Sequence, residues 1–334
     1  MKKTKISVDA EDRILQILKN GAKKPSEILP AFTLNRQSLH LYLKKLLKQK
    51  KIKKIGRMPH VRYATTTGEQ ESRIHEFYTI FEEEILPAWK KKYRTLHHSL
   101  QRLISSKKRP LALGFMLESA VVYSSNIEGN TLDLSAFLNS QNAPLRHRPK
   151  EVREIDDLLH AYRIAQEASL TERSFLHCHA ILSRSFVART RQGKYREETV
   201  GVFSAQGLTY LAVEPMYVAD EMHMLFNIIR KELPRHRAQR TTIAFASWCH
   251  LMIALIHPFS DGNGRIARLL EKWILSDVYG PNAFVTPTEE YYWHHREQYY
   301  RALQLGVNFW EVDFHRAHQF HTLLAHALQS RRST

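Results

Sequence analysis

The sequence has 334 residues, of which 43% are hydrophobic and 25% charged, with 12 glycines and 12 prolines. These proportions are typical of a globular protein long enough for two domains, and they exclude a fibrous repeat or a disordered chain. The net charge of +17 is uneven, because residues 1–65 hold 17 Lys and Arg against 4 Asp and Glu. Such a basic segment favours contact with a nucleic acid, with a solvated surface or an anionic membrane as the alternatives.

No apolar signal core follows the Met-Lys-Lys start, and the longest apolar run, within 243–256, is too short to span a bilayer. We therefore expect no membrane segment and a cytoplasmic location in a bacterium, while export into a host cell, including its nucleus, stays open. Cys178 and Cys249 lie in apolar, helix-like runs without a CxxC pair. This pattern predicts buried free thiols.

The first part of the chain predicts three helices. An apolar stripe over residues 9–19 predicts the first, and a short second helix follows near Pro25. Asn35 is a typical N-cap residue for a third helix, from Arg36 to about Gln49.

Extended runs at 52–55 and 60–63 then predict a basic hairpin. Three helices followed by such a hairpin resemble a winged helix-turn-helix, a family whose third helix enters the DNA major groove while the wing touches the backbone. The resemblance implies base contacts from Arg36, Gln37 and His40 and phosphate contacts from Lys44, Lys45, Arg57 and Arg62. A domain that contacts only protein or mediates dimerisation is the alternative.

Residues 70–106 predict one long helix or two, broken by Pro87. From residue 111 onward the pattern is helical nearly throughout. The exception is 199–212, whose short extended runs predict a β-hairpin. We thus predict a small domain at 1–65, a helical connection at 66–110 and a main helical domain at 111–325.

The strongest chemical signal is the string His257-Pro-Phe-Ser-Asp-Gly-Asn-Gly-Arg265. It follows a segment, 241–256, that is apolar almost all round and therefore predicts a central, buried helix. A second apolar helix is predicted from Arg265 to about Ser276. The string is thus expected to form a loop held between two core helices.

Several residues in this loop suit the binding of phosphate. Gly262 and Gly264 allow backbone N–H groups to approach an anion at a helix N-terminus, where the helix dipole also favours negative charge. Asn263 adds a side-chain donor. Arg265 and Arg268 lie one turn apart and can hold further phosphate oxygens.

Two more residues suit group transfer. Asp261 offers the hard oxygen ligand that Mg²⁺ takes beside nucleotide phosphates. His257 has an ordinary pKa of about 6.5, which suits removal of a hydroxyl proton near neutral pH. Together with the phosphate-binding residues they indicate phosphoryl or nucleotidyl transfer.

The string matches His-x-Phe-x-Asp/Glu-Gly-Asn-Gly-Arg-x-x-Arg at every defined position, and the chain therefore resembles the Fic family. The resemblance implies a mainly α fold, with an all-helical core and a β-hairpin flap, that binds ATP and usually transfers AMP to a Ser, Thr or Tyr hydroxyl of a target protein. It implies the following roles: His257 as general base, Asp261 as Mg²⁺ ligand, Gly262, Asn263, Gly264 and Arg265 around the α- and β-phosphates, Arg268 on the γ-phosphate, and Phe259 as an anchor without chemistry. Doc-type kinases of this superfamily carry Lys where this chain has Gly264, so adenylylation is favoured over phosphorylation, with the donor base left open.

A second motif, Ser124-Ser-Asn-Ile-Glu-Gly-Asn130, would by itself predict a helix C-terminus. It resembles the family's inhibitory motif, Ser/Thr-x-x-x-Glu-Gly/Asn, through Ser124, Glu128 and Gly129. A Glu128 carboxylate can pair bidentately with Arg268 and so keep ATP from binding productively. Because this motif precedes the loop in the same domain, the resemblance implies the intramolecular arrangement called class II.

Other segments extend the resemblance. The run Gly193-Lys-Tyr-Arg196 and the 199–212 hairpin resemble the family's target-binding flap, to which a target strand could add. Tyr299 either lines the adenine pocket or is a core aromatic. His177 and His179 point to different sides of a helix and are interpreted as core or surface histidines, not as a metal pair.

Alternative functions stay open at this stage. In some relatives the inhibitory glutamate activates water to remove AMP, so Glu128 could serve de-adenylylation, alone or together with transfer. A DNA-binding regulator with a sensory Fic domain is a second alternative. A homodimer is a further hypothesis, because release of an inhibitory helix often depends on assembly.

Overall fold

The computed structural model describes residues 3–19, 22–32, 35–49, 51–55, 61–65, 72–105, 110–142, 144, 147–204 and 207–330. The chain divides into two compact units, Met1–Ser72 and Arg73–Thr334. Arg57, assigned above to phosphate contact, lies outside the described residues.

The first unit consists of three helices and a hairpin among its described residues. Its elements are α1 (Lys3–Lys19), α2 (Pro25–Ile28), α3 (Arg36–Lys48), β1 (Ile52–Ile55) and β2 (Arg62–Thr65). Asn35 caps α3 as predicted, since its side chain accepts a hydrogen bond from the backbone nitrogen of Ser38 at 2.8 Å. The second strand begins two residues later than the sequence predicts.

Apolar side chains from all of these elements close the small core. The buried members are Ile14, Leu18, Ile28, Leu39, Leu43, Leu46, Ile52, Val61 and Tyr63. Lys23 extends the hairpin, because its backbone exchanges hydrogen bonds of 3.0 and 2.8 Å with Tyr63. The apolar stripe predicted for the first helix is therefore the face that packs.

The second unit is helical apart from one two-stranded hairpin, as far as its residues are described. Its elements are α4 (Arg73–Ile80), a π-helical turn (Phe81–Ile85), α5 (Leu86–Tyr93), α6 (Leu96–Ser105), α7 (Pro110–Ile127), α8 (Leu134–Ser140), α9 (Lys150–Glu167), α10 (Glu172–Leu182), β3 (Gly201–Ser204), β4 (Gly207–Leu211), α11 (Pro215–Ala238), α12 (Thr242–Ile256), α13 (Asn263–Tyr279), α14 (Thr288–His294), α15 (Arg296–Leu303) and α16 (His318–Gln329). Short 3₁₀ turns at Leu29–Ala31, Pro281–Val285, Phe309–Glu311 and Phe314–Ala317 complete the two units.

The centre of this unit is the pair α12 and α13, which pack against each other. All but one residue of α12 are buried, as its apolar sequence predicts. Helices α11 and α16 cover α12, while α9 and α10 cover α13. The loop between the two central helices is therefore held at both ends by the core.

The predicted break at Pro87 is wrong. The helix continues through this proline from Arg73 to Tyr93 and stops only before α6. A π-helical turn, Phe81–Ile85, immediately precedes the proline, and the backbone nitrogen of Leu86 bonds to the carbonyl of Phe81. The wider turn shifts the hydrogen-bond register where Pro87 lacks an N–H donor, so the helical hydrogen bonding can continue past the proline.

Two other predictions concern the environment of the chain. Cys178 and Cys249 are both buried and unbonded to one another, as predicted. Within the described ranges, no helix is both long and apolar enough to cross a membrane.

Candidate functional site

The loop between α12 and α13 begins with a residue in an unusual conformation. His257 ends α12 at φ 52° and ψ 60°, in the left-handed region that non-glycine residues rarely adopt. Its backbone nitrogen still bonds to the carbonyl of Ile253 at 2.9 Å. This turn directs the chain away from the helix axis and leaves the imidazole ring partly exposed.

Asn263 holds the loop in shape. Its Oδ1 accepts from the backbone nitrogen of Phe259 at 2.9 Å, and its Nδ2 donates to the Phe259 carbonyl at 2.8 Å. The side chain is 3% exposed. Its amide thus closes the loop around the buried Phe259, and the role of Asn263 as a donor to phosphate stays a prediction.

Arg196 attaches the preceding segment to the start of the loop. Its Nε donates to the carbonyl of His257 at 2.7 Å, and its backbone nitrogen donates to the carbonyl of Pro258 at 2.9 Å. The side chain is buried, and this burial lowers the pKa of its guanidinium to about 10. The guanidinium therefore remains charged at neutral pH, and it donates also to the carbonyl of Val213 at 2.5 Å. Arg196 thus connects its own segment with the loop at His257 and with the segment after the hairpin at Val213.

The His257 ring is poised to accept a proton. Its Nδ1 lies 3.4 Å from the carbonyl oxygen of Ala254. A carbonyl only accepts, so the proton belongs on Nδ1 and the lone pair on Nε2 is left available. Burial lowers the pKa of the ring to about 4, which keeps it neutral near pH 7.

Asp261 presents its carboxylate at the surface. It is exposed, and its Oδ1 accepts from the backbone nitrogen of Gly262 at 2.6 Å. That amide is consequently engaged and differs from the free donor expected at Gly262. The Asp261 carbonyl accepts from Nε2 of His179 at 3.0 Å, which fixes the backbone behind the carboxylate.

The N-terminus of α13 carries donors without protein partners. Gly262 precedes the helix at φ 85°, and the first backbone hydrogen bond to it comes from Ile266 at 3.1 Å. The amides of Asn263, Gly264 and Arg265 have no backbone acceptor among the described residues. This helix end is suited to an anion.

Arg265 adds side-chain donors beside that helix end. The residue is 6% exposed, and its Nε and Nη1 are buried with no hydrogen-bond partner in the described part of the chain. Its guanidinium lies 4.1 Å from the ring centroid of Phe186, and its Nη2 is 3.5 Å from Oε2 of Glu154. Unsatisfied buried donors are costly, so this side chain is prepared for an acceptor.

Arg268 is almost fully buried, one turn further along α13. Its Nε donates to Oγ of Ser124 and its Nη2 to the Ser124 carbonyl, both at 2.9 Å. The same Nη2 donates to Oε1 of Glu128 at 2.8 Å. The predicted pairing of Arg268 with Glu128 is thus present in the structure, and the bonds to Ser124 are an addition that the sequence did not indicate.

The predicted bidentate geometry of that ion pair is wrong. Only Oε1 of Glu128 bonds to Arg268; Ser124 accepts from Nε and from the same Nη2, while Nη1 lies 3.5 Å from the Tyr299 hydroxyl. The Glu128 side chain keeps 27% of its surface exposed. Burial opposes its charged form, yet Arg268 and Arg265 together outweigh this effect and lower its pKa.

The Glu128 carboxylate lies over the first turn of α13. A β-carbon placed on Gly264 would stand 2.2 Å from Oε1 of Glu128 and 3.1 Å from Nη1 of Arg268. Glycine is therefore required at this position for the carboxylate to approach the helix backbone. The anion that this helix end favours is supplied, in this conformation, by the chain itself.

The end of α7 positions Glu128. Gly129 adopts φ 97°, and its backbone nitrogen bonds to the carbonyl of Asn126 at 3.0 Å, which makes the predicted helix C-cap. Tyr300, on α15, donates its hydroxyl to the carbonyl of Ile127 at 2.8 Å. This tyrosine fastens the residue directly before Glu128 to another helix.

Tyr299 is a core residue. It is 2% exposed, its ring stacks on Tyr292 at 5.0 Å, and its hydroxyl lies 2.9 Å from Nε2 of His250. Arg268 also reaches this hydroxyl at 3.5 Å. This position fits the second of the two interpretations given above, a core aromatic, and Tyr299 supports Arg268 from within the core.

The hairpin predicted at 199–212 is confirmed as two antiparallel strands, β3 and β4. Phe203 and Leu208 face each other across it with 72% and 55% of their surfaces exposed. In the described residues, β3 has no strand on its outer edge, whereas β4 makes a bridge to Asn308. An exposed apolar pair beside an unpaired strand edge favours contact with another chain.

The DNA-contacting residues predicted in the first unit fall on and beside α3. Arg36, Gln37, His40 and Lys44 are exposed. Lys45 instead pairs with Glu11 on α1, and Arg62 reaches the carbonyl of Ala22 at 3.4 Å. These two cations are thus partly used within the unit.

Sequence reasoning did not identify the contacts of His179 and Tyr300. The prediction of a core histidine is confirmed for His179, which is buried, while His177 is exposed. The partner of His179 lies 82 residues away and that of Tyr300 lies 173 residues away. No local spacing could have indicated either contact.

Comparison with known proteins supports this geometry. Residues 169–275 match the model of the Fic/DOC family, so the chain contains a Fic/DOC domain. A Fic family protein from Desulfovibrio desulfuricans is similar with a TM-score of 0.57 and 23% identity, over 77% of this chain and 71% of its own.

Two further solved structures are similar. Fic-1 from C. elegans has a TM-score of 0.53 and 20% identity, over 79% of this chain and 76% of its own. A Fic domain containing signaling protein from Bacteroides thetaiotaomicron has a TM-score of 0.51 and 20% identity, over 70% of this chain and 92% of its own. At these identities the likeness establishes the fold, a helical Fic core with a β-hairpin.

Proposed function

We propose that this protein transfers AMP from Mg·ATP to a Ser, Thr or Tyr hydroxyl of a target protein, and that Glu128 holds the activity off from within the same domain. The observation that carries the proposal is the position of the Glu128 carboxylate. It bonds to Arg268 at 2.8 Å and lies against Gly264 in the first turn of α13. A negative group therefore occupies the place where the helix end and two arginines favour phosphate.

The nucleotide would bind by replacing this carboxylate. The amides of Gly264 and Arg265 are free of backbone partners among the described residues, and Nε and Nη1 of Arg265 are buried and unsatisfied. Arg268 would exchange its bond to Glu128 for one to the γ-phosphate. Because Glu128 makes only one such bond and is 27% exposed, its side chain can rotate away without unfolding α7.

Asp261 would hold the Mg²⁺ ion. Its carboxylate is exposed and forms no ion pair in the described part of the structure. Across the described residues no group of three or more His, Cys, Asp or Glu could hold a metal alone. That arrangement fits Mg²⁺, which binds through one or two carboxylates together with substrate phosphates and neutralises their charge.

His257 would act as the base. The target hydroxyl oxygen forms a bond to the α-phosphorus as the bond between that phosphorus and the β-phosphate oxygen breaks, and pyrophosphate leaves. The hydroxyl proton passes to Nε2 of His257, whose lone pair is free because Nδ1 faces the Ala254 carbonyl at 3.4 Å. The helix N-terminus and Arg265 would stabilise the charge that develops on the phosphate oxygens.

Gly264 favours adenylyl over phosphoryl transfer. A lysine at this position, as in the Doc-type kinases, would place its β-carbon 2.2 Å from the Glu128 carboxylate. The inhibitory glutamate and a side chain at residue 264 are therefore sterically incompatible. The presence of Glu128 fits a protein of the transferase type with an intramolecular, class II brake.

The target would dock on the hairpin. An extended segment of the target can add to the outer edge of β3, with apolar side chains against Phe203 and Leu208. Backbone pairing along this edge would hold the segment in a fixed register. A Phe203→Asp variant is expected to raise KM for the target protein while leaving ATP binding unchanged.

The reaction type is tested with ATP labelled at either phosphate. The Glu128→Gly variant is incubated with Mg²⁺ and α-labelled or γ-labelled ATP, with Glu118→Ala, on the helix that ends just before Glu128, as the control. We expect protein-bound label only from α-labelled ATP and only with the Glu128 variant. Label from γ-labelled ATP instead would establish phosphoryl transfer and refute the proposed chemistry.

Removal of AMP is a second candidate, which one observation favours. Oε2 of Glu128 has no hydrogen-bond partner among the described residues and faces a partly exposed site. A carboxylate oxygen in that position can accept a proton from water. If hydrolysis is the main activity, Glu128→Gly will abolish release of AMP from a labelled target, whereas the transferase proposal predicts more label.

We further propose that the first unit, as a winged helix, binds DNA through the exposed face of α3. Arg36, Gln37, His40 and Lys44 share that exposed face, and residues 1–65 carry most of the net charge of the chain. A matched pair of variants, Lys44→Gln and Glu27→Gln, tests the face. Affinity for duplex DNA should fall, and the salt dependence should lessen, only for Lys44→Gln; equal effects of both changes would exclude this surface.

A further inference from the structure

His179 lies where three segments meet behind the loop. It stands on α10, its Nε2 lies 3.0 Å from the carbonyl oxygen of Asp261, and its Nδ1 lies 3.1 Å from the backbone nitrogen of Gly193. A carbonyl oxygen only accepts and an amide N–H only donates. The imidazole is therefore neutral with its proton on Nε2, and both of its nitrogens are engaged.

The ring itself cannot rotate. His179 has no exposed surface, and its ring stacks on the equally buried Phe259 with centroids 3.5 Å apart and 6° between the planes. Phe259 in turn is fixed to Asn263 through its backbone. The direction of the Nε2 donor is consequently set by packing as well as by hydrogen bonds.

The turn at Gly193 is equally fixed. Gly193 adopts φ 66°, and a β-carbon on it would stand 2.7 Å from the Leu176 carbonyl and 2.8 Å from the Ala180 β-carbon. It therefore packs closely against α10, on either side of His179. Three residues later Arg196 binds the carbonyl of His257.

We propose that His179 is a positioning residue for Asp261. The loop is gripped at its start by Arg196 and in its middle by Asn263, and among the described residues His179 makes the only hydrogen bond from another segment to the Asp261 backbone. By holding that carbonyl in place, His179 fixes the backbone of Asp261. It thereby sets the direction in which the Asp261 carboxylate points. The part of this inference that concerns the cation rests on the proposed function, because it takes Asp261 as the Mg²⁺ ligand.

Three substitutions separate positioning from packing. In His179→Gln the amide reaches as far as Nε2 and can donate to the Asp261 carbonyl. In His179→Asn the shorter amide reaches only the Nδ1 position, near Gly193. His179→Phe keeps a flat ring to stack on Phe259 and lacks both hydrogen bonds.

The first readout needs neither metal nor nucleotide. Hydrogen–deuterium exchange of the segment 257–264 is compared in the full-length chain, with exposed His177→Phe as the control on the same helix. We expect faster exchange in the Phe and Asn variants and the parent rate in the Gln variant and the control. If His179 served only for packing, the Phe variant would show the slowest exchange of the three variants, and that result would overturn the proposal. If the Phe variant does not fold, the comparison of the Gln and Asn variants decides.

The second readout is transfer in the Glu128→Gly background. Residues that orient metal ligands typically change metal affinity or activity by about 10–100-fold when replaced. We expect the Asn and Phe variants to need about tenfold more Mg²⁺ for the half-maximal rate, with an unchanged KM for the target, and the Gln variant to stay within about threefold of the parent. An unchanged Mg²⁺ requirement in the Asn variant overturns the positioning role. If the exchange rates are as predicted but no variant, the parent included, labels any protein, only the proposed transfer is refuted.

Discussion

Replacing Gly264 by alanine is expected to loosen the contact between Glu128 and Arg268. The new β-carbon would stand 2.2 Å from a carboxylate oxygen, which is closer than any stable contact. That oxygen ends a flexible side chain, so Glu128 rotates away and no backbone moves. The backbone of Gly264 has ordinary helical geometry, since its φ is not positive, and alanine itself fits the helix.

The magnitude follows from the bond that is lost. A hydrogen bond between charged groups contributes about 1.5–3 kcal/mol, and the 27% exposure of Glu128 places this one at the lower end. Alanine in a helix regains up to about 1 kcal/mol relative to glycine. We therefore expect a net loss of about 1 kcal/mol, or about 2–4 °C in Tm for a domain of this size.

The same substitution should act differently when Glu128 is absent. In a Glu128→Gly background nothing remains for the new β-carbon to displace, so Gly264→Ala becomes neutral or slightly stabilising. The coupling between the two sites is then about 1.5–2 kcal/mol. Urea denaturation followed by tryptophan fluorescence measures it in the second unit alone, because all 5 tryptophans lie in Arg73–Thr334. Equal losses in both backgrounds would show that Glu128 does not lie against Gly264.

Three further predictions concern the same contacts. Arg268→Ala removes a 1%-exposed side chain that bonds to Ser124, Glu128 and Tyr299. Urea denaturation should show a loss of about 3–5 kcal/mol in unfolding free energy, and a loss below about 1 kcal/mol would contradict the burial of this side chain. The pKa of Glu128 is lowered in the folded chain, so the ionised carboxylate stabilises the fold relative to the Glu128→Gln variant. This difference in unfolding free energy is constant above the ordinary pKa of a glutamate and disappears as the pH falls through the lowered pKa. Denaturation of both proteins from pH 8 to pH 3 checks this, and a difference that grows on acidification would reverse the sign. Tyr300→Phe removes the bond to the Ile127 carbonyl and should raise protein labelling in the wild-type chain but not in Glu128→Gly; a similar rise in both would place Tyr300 outside the brake.

The sequence was sufficient to locate the loop and its two core helices. An almost wholly apolar stretch before His257 and an apolar stretch after Arg265 predict a pair of buried helices. Asn35 was predictable as an N-cap because its side chain bonds to a backbone nitrogen three residues later. The pairing of Glu128 with Arg268, which lie 140 residues apart, was expected only through the resemblance of Ser124, Glu128 and Gly129 to the family's inhibitory motif. The loop and the N-cap, by contrast, are set by interactions within one element or between neighbouring elements.

The features that the sequence did not indicate depend on which of several possible hydrogen bonds a group makes. Glu128 makes one bond to Arg268, while Ser124 and Tyr299 accept from the rest of the guanidinium, and the sequence cannot rank three acceptors for one side chain. Asn263 uses both ends of its amide on the peptide of Phe259, a choice of partner that its residue type alone does not indicate. The helix passes Pro87 because a π-turn absorbs the missing donor, a feature without a periodic signature.

The central claim is that Glu128 restrains a transfer that His257 performs. It is tested most directly by incubating three proteins, the wild type, Glu128→Gly and Glu128→Gly/His257→Ala, with Mg²⁺ and α-labelled ATP and measuring label on protein. The account predicts strong labelling with Glu128→Gly, at least about tenfold less with the wild type, and a fall of about 100-fold or more in the double variant because the base is gone. Equal labelling by the wild type and Glu128→Gly, or full labelling without His257, would contradict it.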